Sequence, residues 1–99
     1  MNKYVANGFS FQMLNEPFGS LKFCQLSQRD FMSQTEDAKS VIGHEDLARI
    51  LKLPYNRESI RLEKGDVLYI AQLIGGRLKE GATELPKDCR LKFMEISYK

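Results

Sequence analysis

Apolar and polar positions alternate with a period of two over Leu21–Leu26, where Leu21, Phe23 and Gln25 interleave with Lys22, Cys24 and Leu26. That period predicts a strand. It recurs over Ser59–Glu63, with Ile60 and Leu62 on one face, and over Leu91–Ile96. Val67–Ile74 is almost entirely apolar and β-rich, which predicts a central strand buried on both faces. Lys3–Ala6 is a short first strand, broken by Asn7-Gly8. Phe9–Leu14 reads as a loop or short helical turn. Ser27 can cap a helix that starts at Gln28, with Asp30 in its first turn and Phe31 and Met32 as its apolar contact. Gln34–Lys39 is its polar end and a loop, and Ser40–Gly43 is a short apolar link. A second helix carries Leu47, Ala48, Ile50 and Leu51 on one stripe, with Glu45 and Asp46 in its first turn and Pro54 as its stop. Asn15–Gly19 and Lys64–Asp66 have turn chemistry, and Gly75–Pro86 is a long polar connection. Five strands and two main helices predict an α/β fold: one domain over 1–99, with about a five-stranded mixed sheet flanked by helices.

Composition narrows the class. The chain has 99 residues, 42% hydrophobic and 28% charged, an ordinary globular balance. A domain this small buries a limited core and gains from pairing, so a homodimer is expected. The net charge of +2 argues against a general DNA or RNA binder, while leaving room for a local basic pocket. Cys24 and Cys89 form no C-x-x-C motif, and the single histidine cannot complete a zinc set with them. They read as buried free thiols. No apolar run reaches membrane-spanning length and no signal peptide opens the chain, so an intracellular, cytoplasmic protein without membrane association is expected.

Two segments carry candidate chemistry. His44 follows Gly43 and opens the second helix. Free backbone N–H groups at a helix start favour anions. Imidazole changes charge near neutral pH and can pass a proton to an alkoxide leaving group. The alternative is a histidine that only caps the helix. In the second segment, Gly75-Gly76 permits unusual backbone angles and close approach of a ligand. Arg77 follows with a planar fork suited to phosphate, and Glu80 can orient that fork or a hydroxyl. The alternative is an exposed turn with a surface Arg–Glu pair. No Gly-Lys-Ser/Thr follows the glycines, which argues against a nucleoside triphosphate site. Arg57 and Arg61 add charge beside the central strand. Asn7 and Ser10 offer neutral hydrogen-bonding groups, and Phe9 and Tyr55 offer faces for a base. Carboxylates do not cluster as in a magnesium site, so neither a metal nor another cofactor is expected.

In order along the chain, Asn7-Gly8-Phe9-Ser10 resembles an Asn-Ala-Phe-Ser motif, and Ile42-Gly43-His44-Glu45-Asp46-Leu47-Ala48 resembles Ile-Gly-His-x-x-Thr-Ala. Asn56-Arg57, the Lys64-Gly65-Asp66 turn and Gln72-Leu73-Ile74-Gly75-Gly76-Arg77-Leu78-Lys79-Glu80-Gly81 follow. The set is similar to the small archaeal-virus and prophage proteins known as type III anti-CRISPR ring nucleases, over nearly the whole chain. The resemblance implies a homodimer that binds cyclic tetra-adenylate across its two-fold axis. It implies metal-free cleavage to linear di-adenylates ending in a 2′,3′-cyclic phosphate, which removes the activator of type III CRISPR effectors in the host cell. By the same resemblance His44 is the general acid, Arg77 and Glu80 complete the catalytic site, and Asn7, Ser10, Arg57, Gln72, Gly75 and Gly76 contact substrate. Arg61 competes with Arg57 for one of these contacts. Leu47 stands where the family has Thr, and the connection before Asn56 is short; both bear on substrate choice. The competing expectations are a sponge that holds the cyclic nucleotide uncut, and a small structural or regulatory protein that binds a partner through a sheet edge.

Overall fold

The computed structural model describes residues 2–16 and 19–99. Pro17 and Phe18, within the predicted turn at Asn15–Gly19, lie outside the described residues. Five strands form one mixed sheet: β1 (Lys3–Ala6), β2 (Leu21–Leu26), β3 (Lys39–Ser40), β4 (Val67–Ile74) and β5 (Arg90–Tyr98), in the order β2-β5-β4-β1-β3. β5 runs antiparallel to both β2 and β4, while β1 runs parallel to both β4 and β3. Helix α1 (Gln28–Gln34) and helix α2 (Glu45–Leu51) complete the α/β domain. No described helix is long and apolar enough to cross a membrane.

β4 owes its central place to apolar residues at consecutive positions. Leu68, Tyr69, Ile70 and Ala71 are all buried, so both faces of the strand are covered. On one face Tyr69, Ala71, Val5 and Phe93 pack against Phe31 of α1 and Leu47, Ala48 and Leu51 of α2. On the other, Leu68, Ile70, Ala6 and Ile96 pack under Leu62, with Phe9, Met13 and Ile60 at the margin. Helices therefore cover one face, and two irregular segments cover the other. Burial also pushes the Tyr69 phenol up to about 12, helped by the nearby Glu95 carboxylate, so Tyr69 is a neutral core residue. Ser27 caps α1 as its sequence predicts, its hydroxyl oxygen accepting the Asp30 N–H at 3.1 Å.

One strand differs from expectation. Ser59–Glu63 is extended but does not join the sheet; only Leu62 forms a bridge, with Leu14. The fifth strand is instead Lys39–Ser40, read from sequence as a loop and link. The reason is physical. A period of two reports an extended segment with one buried face, whether or not its backbone pairs in a ladder. Leu62 is buried against the sheet and its neighbours Arg61 and Glu63 are exposed, which satisfies the pattern without pairing. A two-residue strand is too short to show any period. The last strand also extends beyond Leu91–Ile96, to Arg90–Tyr98.

α2 ends on Lys52, whose φ of 58° and ψ of 39° place it in the left-handed region. Its N–H reaches back to the carbonyls of Ala48 and Arg49, while Pro54 follows two residues on. Glycine adopts this conformation without the steric penalty a Cβ brings. Lys52→Gly is expected to raise stability by about 0.5–1 kcal/mol. A urea melt that shows a lower midpoint for the variant would contradict this account of the helix end.

Candidate functional site

His44 is the N-cap of α2. Its backbone is extended, and its Nδ1 accepts the Leu47 N–H at 3.2 Å. The capping alternative is thus realised, and it has a chemical consequence. A ring nitrogen that accepts a hydrogen bond carries no proton, so the neutral ring holds its proton on Nε2. Capping and proton donation therefore use different nitrogens of one exposed side chain. Glu45 and Asp46 occupy the first turn and offset the positive end of this two-turn helix. The anion attraction expected there from sequence is correspondingly reduced.

Two other residues named from sequence converge on the backbone before His44. The Gly43 N–H donates to Asn7 Oδ1 at 3.3 Å. A Cβ built on Gly43 would stand 3.5 Å from Arg57 Cγ and 3.8 Å from Arg57 Nε, so the Arg57 side chain lies over this glycine. Asn7 comes from the end of β1 and Arg57 from the segment after α2. Beside them runs a groove of about 500 Å³, lined among others by Asn7, Ser10, Gln12, Glu58 and Arg61. Arg57 and Arg61 therefore divide the space: Arg61 lines the groove, and Arg57 stands over Gly43. Ser10 Oγ accepts the Gln12 N–H at 3.2 Å and starts the short 3₁₀ turn Phe11–Met13. Its hydroxyl proton is left to donate elsewhere. Hydrogen bonds from Lys39 (2.8 Å) and Asn56 (3.2 Å) hold the Glu58 carboxyl below the usual carboxylate range. The groove thus mixes a guanidinium, a carboxylate, amides and a hydroxyl.

The second segment starts where β4 ends. Gln72 is exposed, opposite Lys92 of β5. By strand alternation it shares a face with Leu68 and Ile70, the face that carries the groove. Gly75 has φ of 111°, and a Cβ there would collide with the Asp88 carbonyl oxygen. A Cβ on Gly76 would lie 2.7 Å from Asp88 Oδ2. The double glycine therefore has a packing reason: the turn before β5 crosses directly over it. Beyond it Leu78 packs against the helix-side core, whereas Arg77 is exposed. Lys79–Ala82 closes a β-turn through Ala82 N–H to Lys79 C=O, 3.0 Å, with Gly81 at φ of 81°. A positive φ at the third position marks a type II geometry and puts Glu80 at the outer corner. Among the described residues neither Arg77 nor Glu80 forms an ion pair, so the surface Arg–Glu pair weighed from sequence is not made.

The turn is not free of the helix. Gly81 N–H donates to Asp46 Oδ1 at 3.2 Å, and Arg49 Nη1 donates both to Asp46 Oδ1 at 2.8 Å and to the Ala82 carbonyl at 3.3 Å. The turn bearing Glu80 is thereby tied to the helix that His44 caps. Sequence reasoning saw Asp46 only as a first-turn acid and Arg49 not at all. Nothing in the chain signals a contact across 35 positions. Glu58 and Gln12 in the groove went unmarked for the same reason. Among the described residues no group of three or more His, Cys, Asp or Glu side chains is placed to hold a metal ion.

The fold and these residues define a class: a small mixed-sheet α/β domain with a polar groove on one sheet face and a histidine that caps its second helix. The chain belongs to the STIV B116-like family, whose sequence model matches residues 3–97. Among solved structures it is similar to B116 of Sulfolobus turreted icosahedral virus, with a TM-score of 0.85 at 23% sequence identity over 98% of this chain and 99% of that one. No curated protein matches the chain significantly.

Proposed function

We propose that the protein is a metal-independent ring nuclease. It would cut cyclic tetra-adenylate to linear di-adenylates ending in a 2′,3′-cyclic phosphate, and so silence type III CRISPR signalling in the host-cell cytoplasm. One observation carries the reading: Asn7 and Arg57 meet at Gly43, the residue before His44, whose Nδ1 is engaged in capping. A phosphodiester seated there would meet a guanidinium and an Nε2–H together. Each scission would begin with attack of a ribose 2′-oxygen on the adjacent phosphorus. The P–O5′ bond breaks as the P–O2′ bond forms, leaving a cyclic phosphate on one side and a 5′-hydroxyl on the other. The nucleophile belongs to the substrate, so no metal-bound water is required. The 2′-hydroxyl proton passes to solvent water as O2′ attacks. His44 Nε2–H delivers a proton to the 5′-oxygen and the ring takes one back from solvent, while Arg77 stabilises the charge that grows on the phosphoryl oxygens. Glu80 orients the reacting groups.

Substrate contacts fall to Asn7, Ser10, Gln72, Gly75, Gly76 and the two arginines, Arg57 and Arg61. The mixture of groups in the groove supports a ligand that presents both phosphates and base edges. A ring of four equivalent nucleotides is met symmetrically by two copies of one chain, which supports a homodimer with a shared site. The viral relative and the family membership support a place among virus-encoded antagonists.

Labelled cyclic tetra-adenylate incubated with the protein in excess EDTA is the direct test. Di-adenylate with a cyclic phosphate end is expected. Retention of uncut ring would instead identify a sponge. Neither binding nor cleavage would leave the structural or regulatory reading. Activity that vanished with chelator and returned with magnesium would overturn the metal-free chemistry.

A further inference from the structure

We propose that Asp46 is a positioning residue for Glu80, fixing the catalytic turn against the helix that His44 caps. The inference rests on the ring nuclease reading and names a residue that this reading leaves without a role. The Lys79–Ala82 turn places one peptide group between Glu80 and Gly81. Its N–H donates to Asp46 Oδ1 at 3.2 Å, so the peptide plane attached to the Glu80 Cα is held by a side chain of α2. Because the acceptor is ionised, the bond is stronger than one between neutral groups.

The carboxylate is itself fixed. Arg49 Nη1 approaches Asp46 Oδ1 to 2.8 Å and reaches the Ala82 carbonyl at 3.3 Å, so one guanidinium holds both the carboxylate and the last residue of the turn. Glu45 lies 3.7 Å from Arg49 Nη2 and faces the same guanidinium without touching the turn. The Asp46 side chain is only 18% exposed, against 70% for Glu45, so water competes far less for its oxygens. Gly81 fits the same account. A Cβ there would meet nothing within 4 Å, so glycine is required by its φ of 81° and not by space. That φ turns the Gly81 N–H toward the helix. The turn is anchored on its other side by Leu78 in the helix-side core. A two-point attachment of this kind limits the positions open to Glu80 relative to His44. Asp46 touches no reacting atom in this scheme; it acts through Glu80.

The test compares Asp46→Ala, Asp46→Asn and Glu45→Ala in steady-state cleavage of cyclic tetra-adenylate, together with hydrogen exchange at the Gly81 amide. Asp46→Ala is expected to lower kcat on the order of ten- to a hundredfold, the range a misplaced group costs, with KM changed far less. Its Gly81 amide should exchange faster. Asp46→Asn keeps the Oδ1 acceptor and should recover most of both. Glu45→Ala removes a first-turn acid and an Arg49 neighbour but leaves the Gly81 bond, so its kcat should match the parent. Faster Gly81 exchange in Asp46→Ala with an unchanged kcat would reduce the contact to a structural one and overturn the positioning role. Unchanged exchange would overturn the contact itself. If the parent protein failed to cut the ring, the ring nuclease reading and the role of Glu80 would fall, whereas faster exchange would still show Asp46 holding the turn.

Discussion

His44→Ala is expected to slow cleavage of cyclic tetra-adenylate on the order of a hundred- to ten-thousand-fold, the range for loss of a general acid. The same change removes the acceptor for the Leu47 N–H and should cost about 0.5–2 kcal/mol of stability, as loss of an N-cap does. The two effects have separate atomic origins and can be separated. Asparagine is among the strongest N-cap residues and offers an oxygen where His44 offers Nδ1. It has nothing equivalent to Nε2. His44→Asn should therefore match the parent in a denaturant melt and match His44→Ala in its loss of cleavage. A fully active His44→Asn protein would leave His44 with capping alone and remove it from the mechanism. Ring binding should persist in both variants, because Asn7, Arg57 and Arg61 are untouched.

The largest expected loss of stability is at Phe31. It is 0% exposed and is the only buried residue of α1. Its ring centroid lies 4.6 Å from that of Phe93 on β5, in a tilted contact. A seven-residue helix cannot sustain itself in water, so packing must hold it. Phe31→Ala is expected to destabilise by about 3–5 kcal/mol through lost burial and the cavity left behind. That is a large share of the roughly 5–15 kcal/mol that keeps a domain folded. The urea midpoint should fall with little change in slope. A loss below about 1 kcal/mol would mean that α1 does not depend on this contact. Ring binding at low temperature should survive, since Phe31 lies on the helix-covered face and the groove on the other.

Much of this protein was legible in its sequence. Continuous apolar character marked β4, because a strand covered on both faces must be apolar at successive positions. Ser27 marked the start of α1, and the stripe of Leu47, Ala48 and Leu51 marked the buried side of α2; both signals are local and need no knowledge of the rest of the chain. His44 was legible as a residue at a helix start for the same reason. Its tautomer was not, since that depends on the hydrogen bond to Leu47 N–H. The alternation at Ser59–Glu63 misled because one-sided burial and ladder pairing leave the same trace. Lys39–Ser40 left no trace at all, being a strand only because β1 lies beside it. The meeting of Asn7, Gly43 and Arg57, the partition between Arg57 and Arg61, and the tie from Asp46 to Gly81 belong to the tertiary structure alone. Each joins residues far apart in the chain through the ordering of strands in the sheet, and local patterns of polarity carry no information about which distant segments that ordering brings together.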